Sequence, residues 1–153
     1  MREKVKGKML LKTNVMTNPT TGKTSTKKNL SLTVALLPSI NRKDALGINR
    51  RTGKLVKYAK PDYAAKQDAV IWQVRDAVNA DGWVVSGTDR YKLTVEVYFV
   101  SELRSDLDGP LKATLDCLQR GGAIWNDNRV MALTLEKLID AGKPRCEVLV
   151  EKI

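Results

Sequence analysis

The feature that most constrains the fold is a nine-residue alternation of apolar and more polar side chains in the middle of the chain. Between Tyr91 and Val100, apolar residues occupy every second position, which is the period of a strand with one buried face. The chain has 153 residues, a length that suggests one domain. We therefore expect a single sheet-centred domain.

Four other segments show a regular pattern. Alternation predicts a first strand over residues 30–36 and two later strands over residues 130–137 and 146–152. Apolar residues at helical spacing predict a first helix that starts near Asp62 and stops at residues 79–82. Trp72 lies off the apolar stripe of this helix.

A second helix is predicted from about Pro110 to Arg120, with Gly121 and Gly122 as its C-terminal cap. The order strand, helix, strand, helix, strand, strand predicts an α+β fold, in which two main helices pack on a mixed β-sheet. Residues 30–153 form this predicted domain. Residues 1–29, rich in Lys, Thr and Asn, predict a basic arm or hairpin before it.

Positive charge is concentrated in the first 60 residues, which contain 15 basic and two acidic side chains, although the whole chain has a formal net charge of +10. Clustered Lys and Arg displace counterions from nucleic acid, so we expect a phosphate-binding face there. A solvated basic surface is the alternative. The polar segment 39–60 is interpreted as a long loop that contacts substrate. Its candidate DNA-binding residues are Asn41, Arg42, Lys43, Arg50, Arg51, Lys54 and Lys57.

The complete absence of histidine excludes several kinds of site. A Ser-His-Asp or Cys-His nucleophile and a zinc site of the HExxH type are impossible. Cys117 and Cys146 lack metal-ligand spacing and are expected to be reduced, partly buried thiols. Any bound metal should therefore be hard and oxygen-ligated. No membrane-length apolar run or signal peptide is recognisable, so we expect a cytoplasmic protein with no membrane partner.

Three aspartates and one lysine are the candidate chemistry. Asp106 and Asp108 precede the second helix, and in an extended segment their side chains would point to one side, roughly 6.6 Å apart. Asp127 lies in a later loop and could complete a site for one or two Mg²⁺ ions, which suit phosphodiester hydrolysis. Lys112 lies four residues after Asp108 and could neutralise phosphate charge.

Each of these residues also has a structural interpretation. Asp108 is a good N-cap for the second helix. Asp127 fits a turn. Lys112 fits an ion pair with Asp116, four residues further along the chain.

Four separated motifs occur in the order and spacing of a known family. They are Leu37-Pro38-Ser39-Ile40-Asn41-Arg42, Asp106-Leu107-Asp108-Gly109-Pro110-Leu111-Lys112, Asp116-Cys117-Leu118 and Asn126-Asp127-Asn128-Arg129-Val130. Over residues 30–153 the chain thereby resembles the RusA-type Holliday junction resolvases. The resemblance implies a RusA-like homodimer, of bacterial or phage origin, that cuts four-way and related branched DNA. It also implies dependence on Mg²⁺, with Mn²⁺ as a substitute, and no organic cofactor.

By position, the resemblance makes Asp106, Asp108 and Asp127 the metal-binding catalytic carboxylates and Lys112 the catalytic lysine. The chain keeps Arg104 as a basic residue before the first Asp, and Arg104 is a further candidate DNA contact. At several neighbouring positions the chain departs from the family pattern. The departures are Leu37 for Pro, Ser105 for a basic residue, Gly109 for Asn and Asn126 for Asp.

The leading hypothesis is therefore a structure-selective, Mg²⁺-dependent endodeoxyribonuclease that resolves four-way junctions. One alternative is a non-catalytic basic DNA-binding protein of recombination or replication, with the aspartates as caps and turns. Another is a two-carboxylate hydrolase of a neutral substrate such as a glycan, which the basic first 60 residues disfavour. The preferred cleavage sequence stays open.

Overall fold

A computed structural model of the chain describes residues 27–39, 43–102 and 106–153. Most of the predicted N-terminal arm lies outside these residues, as do Asn41, Arg42 and Arg104. The described elements, in chain order, are β1 (Asn29–Ala35), β2 (Asp44–Ile48), β3 (Leu55–Ala59), α1 (Pro61–Asp81), β4 (Tyr91–Phe99), α2 (Asp108–Gly121), a 3₁₀ turn (Asp127–Arg129), β5 (Val130–Ile139) and β6 (Arg145–Lys152).

Four of the strands form the main sheet, in the spatial order β1, β6, β4, β5. The β1–β6 and β6–β4 pairs are antiparallel, whereas β4 and β5 are parallel and are connected through α2. The predicted α+β class, the mixed sheet and the two main helices are confirmed. Neither helix, within the part of the chain described, is long and apolar enough to cross a membrane.

The predicted long loop is wrong, because β2 and β3 form an antiparallel hairpin inside segment 39–60. The predicted element order therefore lacks two strands. Each strand has only five residues, and no side chain of either strand is fully buried. Such a short pair leaves no buried apolar face, so its sequence does not carry the alternation on which strand prediction depends.

The core lies between the two helices and one face of the main sheet. On β4, Leu93, Val95 and Val97 point into it and are fully buried, while the alternate side chains face outwards. β1 and β6 repeat this alternation. The predicted stripe on α1 is buried from Tyr63 to Val74, and Trp72, which lies off that stripe, is exposed. Helix α2 ends as predicted, with Gly122 in the left-handed conformation.

Strand β5 is an edge of the main sheet, and its inward face is not fully covered by the helices. Met131 and Ile139 are 52% and 44% exposed, and Leu133 is 42% exposed although it pairs in register with the buried Leu93. Leu135, on the same face, packs against the core. Apart from Lys137, whose ammonium group lies over the Phe99 ring, the apolar surface of the core therefore continues onto an open strand edge, which is the kind of patch that marks an interface.

The start of α2 packs tightly against Ser39, which lies in the segment that follows β1. A Cβ atom added to Gly109 would lie 2.7 Å from the Cβ of Ser39 and 3.0 Å from its Cα. The neighbour includes main-chain atoms, so it cannot simply rotate away. This close approach explains why Gly109 occupies a position where the resemblance leads one to expect Asn.

We expect Gly109→Asn to destabilise the fold by about 1–3 kcal/mol, because overpacking a close backbone approach forces the main chain to shift. Thermal unfolding followed by circular dichroism measures the effect. Gly142→Ala is the matched control, because a Cβ there meets only Asp140 at 3.7 Å, an ordinary van der Waals distance. Equal melting temperatures for the two variants would contradict this explanation of Gly109.

Candidate active site

Asp106 and Asp108 lie at the N-terminus of α2, and both side chains are exposed. The extended conformation expected for this segment is wrong: Leu107 has the right-handed helical values φ −77° and ψ −33°, and Asp108 is the first residue of the helix. The interpretation of Asp108 as N-cap is also wrong, because Leu107 occupies that position and makes no side-chain capping bond. The carboxylate of Asp108 is therefore not used to cap α2.

Lys112 follows Asp108 by one helical turn and is exposed on α2. Because residues four apart lie on the same side of a helix, its ammonium group shares a face with Asp108 and Asp116. The alternative interpretation of Lys112, an ion pair with Asp116, is wrong, and Lys112 has no salt-bridge partner among the residues that the structure describes. Its charge is thus available to an external phosphate.

Asp127 begins the 3₁₀ turn that follows α2. The side chain that stabilises this turn belongs to Asn126, whose Oδ1 accepts a hydrogen bond from the main-chain N–H of Asn128 at 3.0 Å. The main-chain N–H of Asp127 donates to Oε1 of Gln119 at 3.3 Å. The carboxylate of Asp127 is exposed and has no bond to another described residue, so the turn does not need it.

The loop before Asp127 is anchored to the sheet by Tyr91. The main-chain N–H of Trp125 donates to the Tyr91 hydroxyl at 3.3 Å, and that hydroxyl donates to Asp89 at 3.5 Å. Burial raises the pKa of Tyr91 to about 12, so the hydroxyl stays protonated at neutral pH. The chain thus holds the Asp127 loop from two sides, through Tyr91 and through Gln119.

The three candidate carboxylates do not meet within one chain. Gln119, which contacts Asp127, lies eleven residues after Asp108 along a single helix, or about 16 Å along its axis. Among the described residues, no group of three or more acidic or cysteine side chains is arranged to hold a metal ion. The fold therefore places Asp106 and Asp108 at one end of α2 and Asp127 towards the other.

The donor chemistry of these residues nevertheless suits a hard divalent cation. Asp106, Asp108 and Asp127 are exposed carboxylates, and none has a hydrogen bond or ion pair with another described residue. Carboxylate oxygens are the ligands that Mg²⁺ takes from proteins, usually one or two at a time together with water and substrate phosphate. The donor chemistry of these residues thus fits Mg²⁺.

The hairpin of β2 and β3 presents most of the remaining candidate DNA-binding residues. Arg50 and Arg51 lie in its turn, where the side chain of Asn49 accepts from the main-chain N–H groups of Arg51 and Thr52 at 2.9 and 3.3 Å. Gly53 completes the turn with φ 67°. The arginines therefore extend from a turn whose backbone is fixed by hydrogen bonds.

Lys54 and Lys57 continue this basic surface along β3, and both are exposed. Lys57 forms a salt bridge of 2.7 Å with Asp44, a weak surface pair that a phosphate could replace. Lys43 lies apart from them, half-buried beside α1 and α2. The interpretation of segment 39–60 as a loop thus missed the hairpin. The available sequence signal was the pair of turn residues Asn49 and Gly53, which lie between two short apolar stretches.

Both cysteines are buried and unpaired, as expected. Burial raises the pKa of Cys117 to about 11, so this thiol is protonated at neutral pH and is not a nucleophile. It lies in the core, where Cys117 packs on the buried side of α2. The candidate chemistry therefore remains with the carboxylates and Lys112.

An α+β domain with exposed, unpaired carboxylates beside a lysine, and with a basic hairpin, has the residue types that a nuclease uses. The family model described as Endodeoxyribonuclease RusA matches residues 47–151. The chain belongs to this family, and it is accordingly an endodeoxyribonuclease, a hydrolase of DNA.

The matched residues include three of the four sequence motifs, namely those around Asp106, Asp116 and Asp127, whereas the motif at residues 37–42 precedes the match. The resemblance inferred from the sequence is thereby confirmed at the level of the family. No curated protein sequence matches the chain.

Proposed function

We propose that this protein resolves four-way DNA junctions and related branched DNA by Mg²⁺-dependent hydrolysis of phosphodiester bonds. The proposal rests on the carboxylates of Asp106, Asp108 and Asp127, which occupy positions of the family motifs. All three are exposed and have no partner among the described residues. Bound Mg²⁺ would supply a nucleophilic water at neutral pH and would stabilise the leaving oxygen.

The residues of the chain then have separate tasks. Asp106 and Asp108 hold the cation from the start of α2, and Asp127 does so from a loop that Tyr91 and Gln119 keep in place. Lys112, one turn into α2, faces the charge that develops on the scissile phosphate. The three carboxylates bind the cation only when they are brought together in one place.

We further propose that the set is completed by a second copy of the chain. Asp127 lies towards the opposite end of α2 from Asp106 and Asp108, so a two-fold axis is a simple way to bring the two parts together. The uncovered apolar face of β5, with Met131, Leu133 and Ile139, begins directly after the Asp127 turn. Pairing through that face would bury the patch and would place two sites on two strands of one junction.

The test is nicking of a synthetic four-way junction by the purified protein, compared with a linear duplex of the same sequence. We expect cleavage of the junction with Mg²⁺ or Mn²⁺, preference for the junction over the duplex, and no cleavage with EDTA. Tight junction binding without any metal-stimulated cleavage would instead support the non-catalytic DNA-binding alternative.

The hairpin gives a separate prediction about DNA binding. Replacing Arg50 and Arg51 together with Gln should weaken binding to junctions of every sequence, because these side chains would bind phosphates rather than bases. The slope of log Kd against log salt should fall by about 1 for each phosphate that the variant no longer neutralises.

Fluorescence anisotropy at several salt concentrations measures this effect. Lys92→Gln is the matched control, because Lys92 lies on the outward face of the main sheet in a pair with Glu151. A loss of affinity confined to one DNA sequence, or an equal loss in the control, would argue against a phosphate-binding hairpin.

A further inference from the structure

A polar pocket lies between α1, α2 and the start of the hairpin. Its volume is about 250 Å³, and its walls come from Lys43, Gln67, Asp116, Gln119 and Arg120. Pockets for drug-sized ligands usually measure about 300–1,000 Å³, so this one suits a smaller unit. Asp106, Asp108 and Lys112 do not line it, and Gln119 is the wall residue that also takes part in the proposed function, through its hydrogen bond with Asp127.

The side chain of Gln67 gives the strongest sign that the pocket binds something. Gln67 is only 8% exposed, yet its amide has no hydrogen-bond partner among the described residues. The main-chain carbonyl oxygen of Gln67, by contrast, accepts a hydrogen bond from the Cys117 thiol, with 3.9 Å between the oxygen and the sulfur. Among the described residues the fully buried side-chain polar atoms without a partner are Tyr63 Oη and Asp81 Oδ2, so the Gln67 amide is not sealed in the core but is reached from the pocket that it lines. The unpaired amide therefore points to a ligand with complementary donors and acceptors.

The other walls of the pocket also present unused polar groups. Lys43 and Asp116 have no ion-pair partner among the residues described, and Arg120 has only a long ion pair of 3.9 Å with Asp68. Two cations, two amides and one carboxylate thus surround a small space. Cations of this kind bind phosphate, whereas amides and carboxylates bind the edges of nucleobases.

We infer that this pocket binds one unpaired nucleotide of a DNA strand, with the base against Gln67 and Asp116 and the phosphate near Lys43 and Arg120. The inference rests on the proposed function, since a branched DNA substrate offers bases that can leave the stack at low cost. Asp116 accepts hydrogen bonds and donates none when ionised. With Asp116 facing the position of the exocyclic amino group, the pocket favours adenine and cytosine over thymine, whose O4 carbonyl would meet the carboxylate at that position.

The pocket also adjoins the loop that carries Asp127. Gln119 forms part of its wall, and Oε1 of the same residue accepts the hydrogen bond from the main-chain N–H of Asp127 at 3.3 Å. A base held there would therefore lie beside one of the candidate metal ligands. Through this hydrogen bond, the identity of the bound base would influence which junctions are cut fastest.

Equilibrium binding of mononucleotides tests the inference without any cleavage. Titrations of the full chain with dAMP, dCMP and dTMP in EDTA, followed by NMR, should show that dAMP or dCMP binds about tenfold or more tightly than dTMP, as expected for one discriminating hydrogen-bonded group. Asp116→Asn should remove this preference, because an amide both donates and accepts. Equal binding of all three nucleotides by the unaltered protein would overturn the inference.

Two variants test the remaining walls. Gln67→Leu keeps the volume of the side chain and removes the amide, so it should weaken binding of the preferred nucleotide about tenfold or more. Because Gln67 is buried, Arg120→Gln provides an exposed alternative that should weaken all three nucleotides by removing a cation that binds their phosphate. Unchanged affinity in both variants would contradict the assignment.

Junction cleavage measured in parallel separates this inference from the proposed function. A protein that discriminates among the nucleotides but cuts no junction overturns the proposed function and supports the pocket. A protein that cuts junctions but binds the three nucleotides equally overturns the pocket alone.

Discussion

Asp106→Asn is expected to reduce the rate of junction cleavage about 1,000-fold or more while junction binding stays the same or becomes tighter. The reduction follows because a metal ion supplies several kcal/mol of transition-state stabilisation, and each 1.36 kcal/mol is a factor of about ten in rate. Binding persists because the substitution removes a negative charge from a surface that meets phosphates. Single-turnover cleavage and gel-shift binding of the same junction measure the two effects.

Asp127→Asn should have the same effect, although Asp127 lies towards the other end of α2 from Asp106. Asp76→Asn is the matched control, since Asp76 is an exposed carboxylate on α1 with no part in the proposed site. Cleavage at the parent rate by Asp106→Asn or Asp127→Asn, with normal binding, would show that the carboxylates are not metal ligands. A large reduction in the Asp76 variant would indicate a general effect of charge.

Leu133→Lys is expected to convert the protein to monomers and to abolish cleavage. Leu133 lies on the uncovered face of β5, and an ammonium group buried there without a partner costs several kcal/mol. The dissociation constant of the dimer should therefore rise about 100-fold or more. Sedimentation velocity measures the association state, and junction nicking measures activity at the same protein concentration.

Thr134→Lys is the matched control for this prediction. Thr134 is exposed on the same strand but points to the opposite face of the sheet, where it pairs with Thr94. It should leave both association and cleavage intact. If the unaltered protein were monomeric at working concentration and fully active, the proposed dimer would be contradicted.

The central sheet and both helices were predictable because their patterns are long and bury a face. β4 has nine residues with strict alternation, and α2 has a clear stop at its two C-terminal glycines. The hairpin was not predictable by the same rule, because β2 and β3 bury no side chain completely. Periodicity reports burial, so an element that stays exposed leaves a weak signal.

The candidate site was predictable in its chemistry but not in its geometry. The absence of histidine and the motifs around Asp106 and Asp127 indicated oxygen ligands for a hard cation. The extended geometry expected for Asp106 and Asp108 failed because Leu107 already has helical dihedral angles. The distance of Asp127 from the start of α2 depends on its hydrogen bond with Gln119, which no local pattern reveals.

The pocket at Gln67 could not be predicted from the sequence either. Gln67 belongs to the buried stripe of α1, where helical spacing alone assigns it to the core with Tyr63 and Val70. Only the fold shows that its amide lines a cavity together with residues of α2. A polar residue at a position that helical spacing assigns to the core is thus a useful signal of a polar site. The kind of site depends on which residues of the neighbouring elements face it.

The most direct test of a shared active site uses a purified heterodimer of Asp106→Asn and Asp127→Asn chains, isolated through two different tags. If each site takes Asp106 from one chain and Asp127 from the other, one site carries both substitutions and the second carries none. We predict that each homodimeric variant is inactive, whereas the heterodimer nicks a four-way junction at about half the wild-type rate. An inactive heterodimer that still binds the junction would contradict a site shared between two copies.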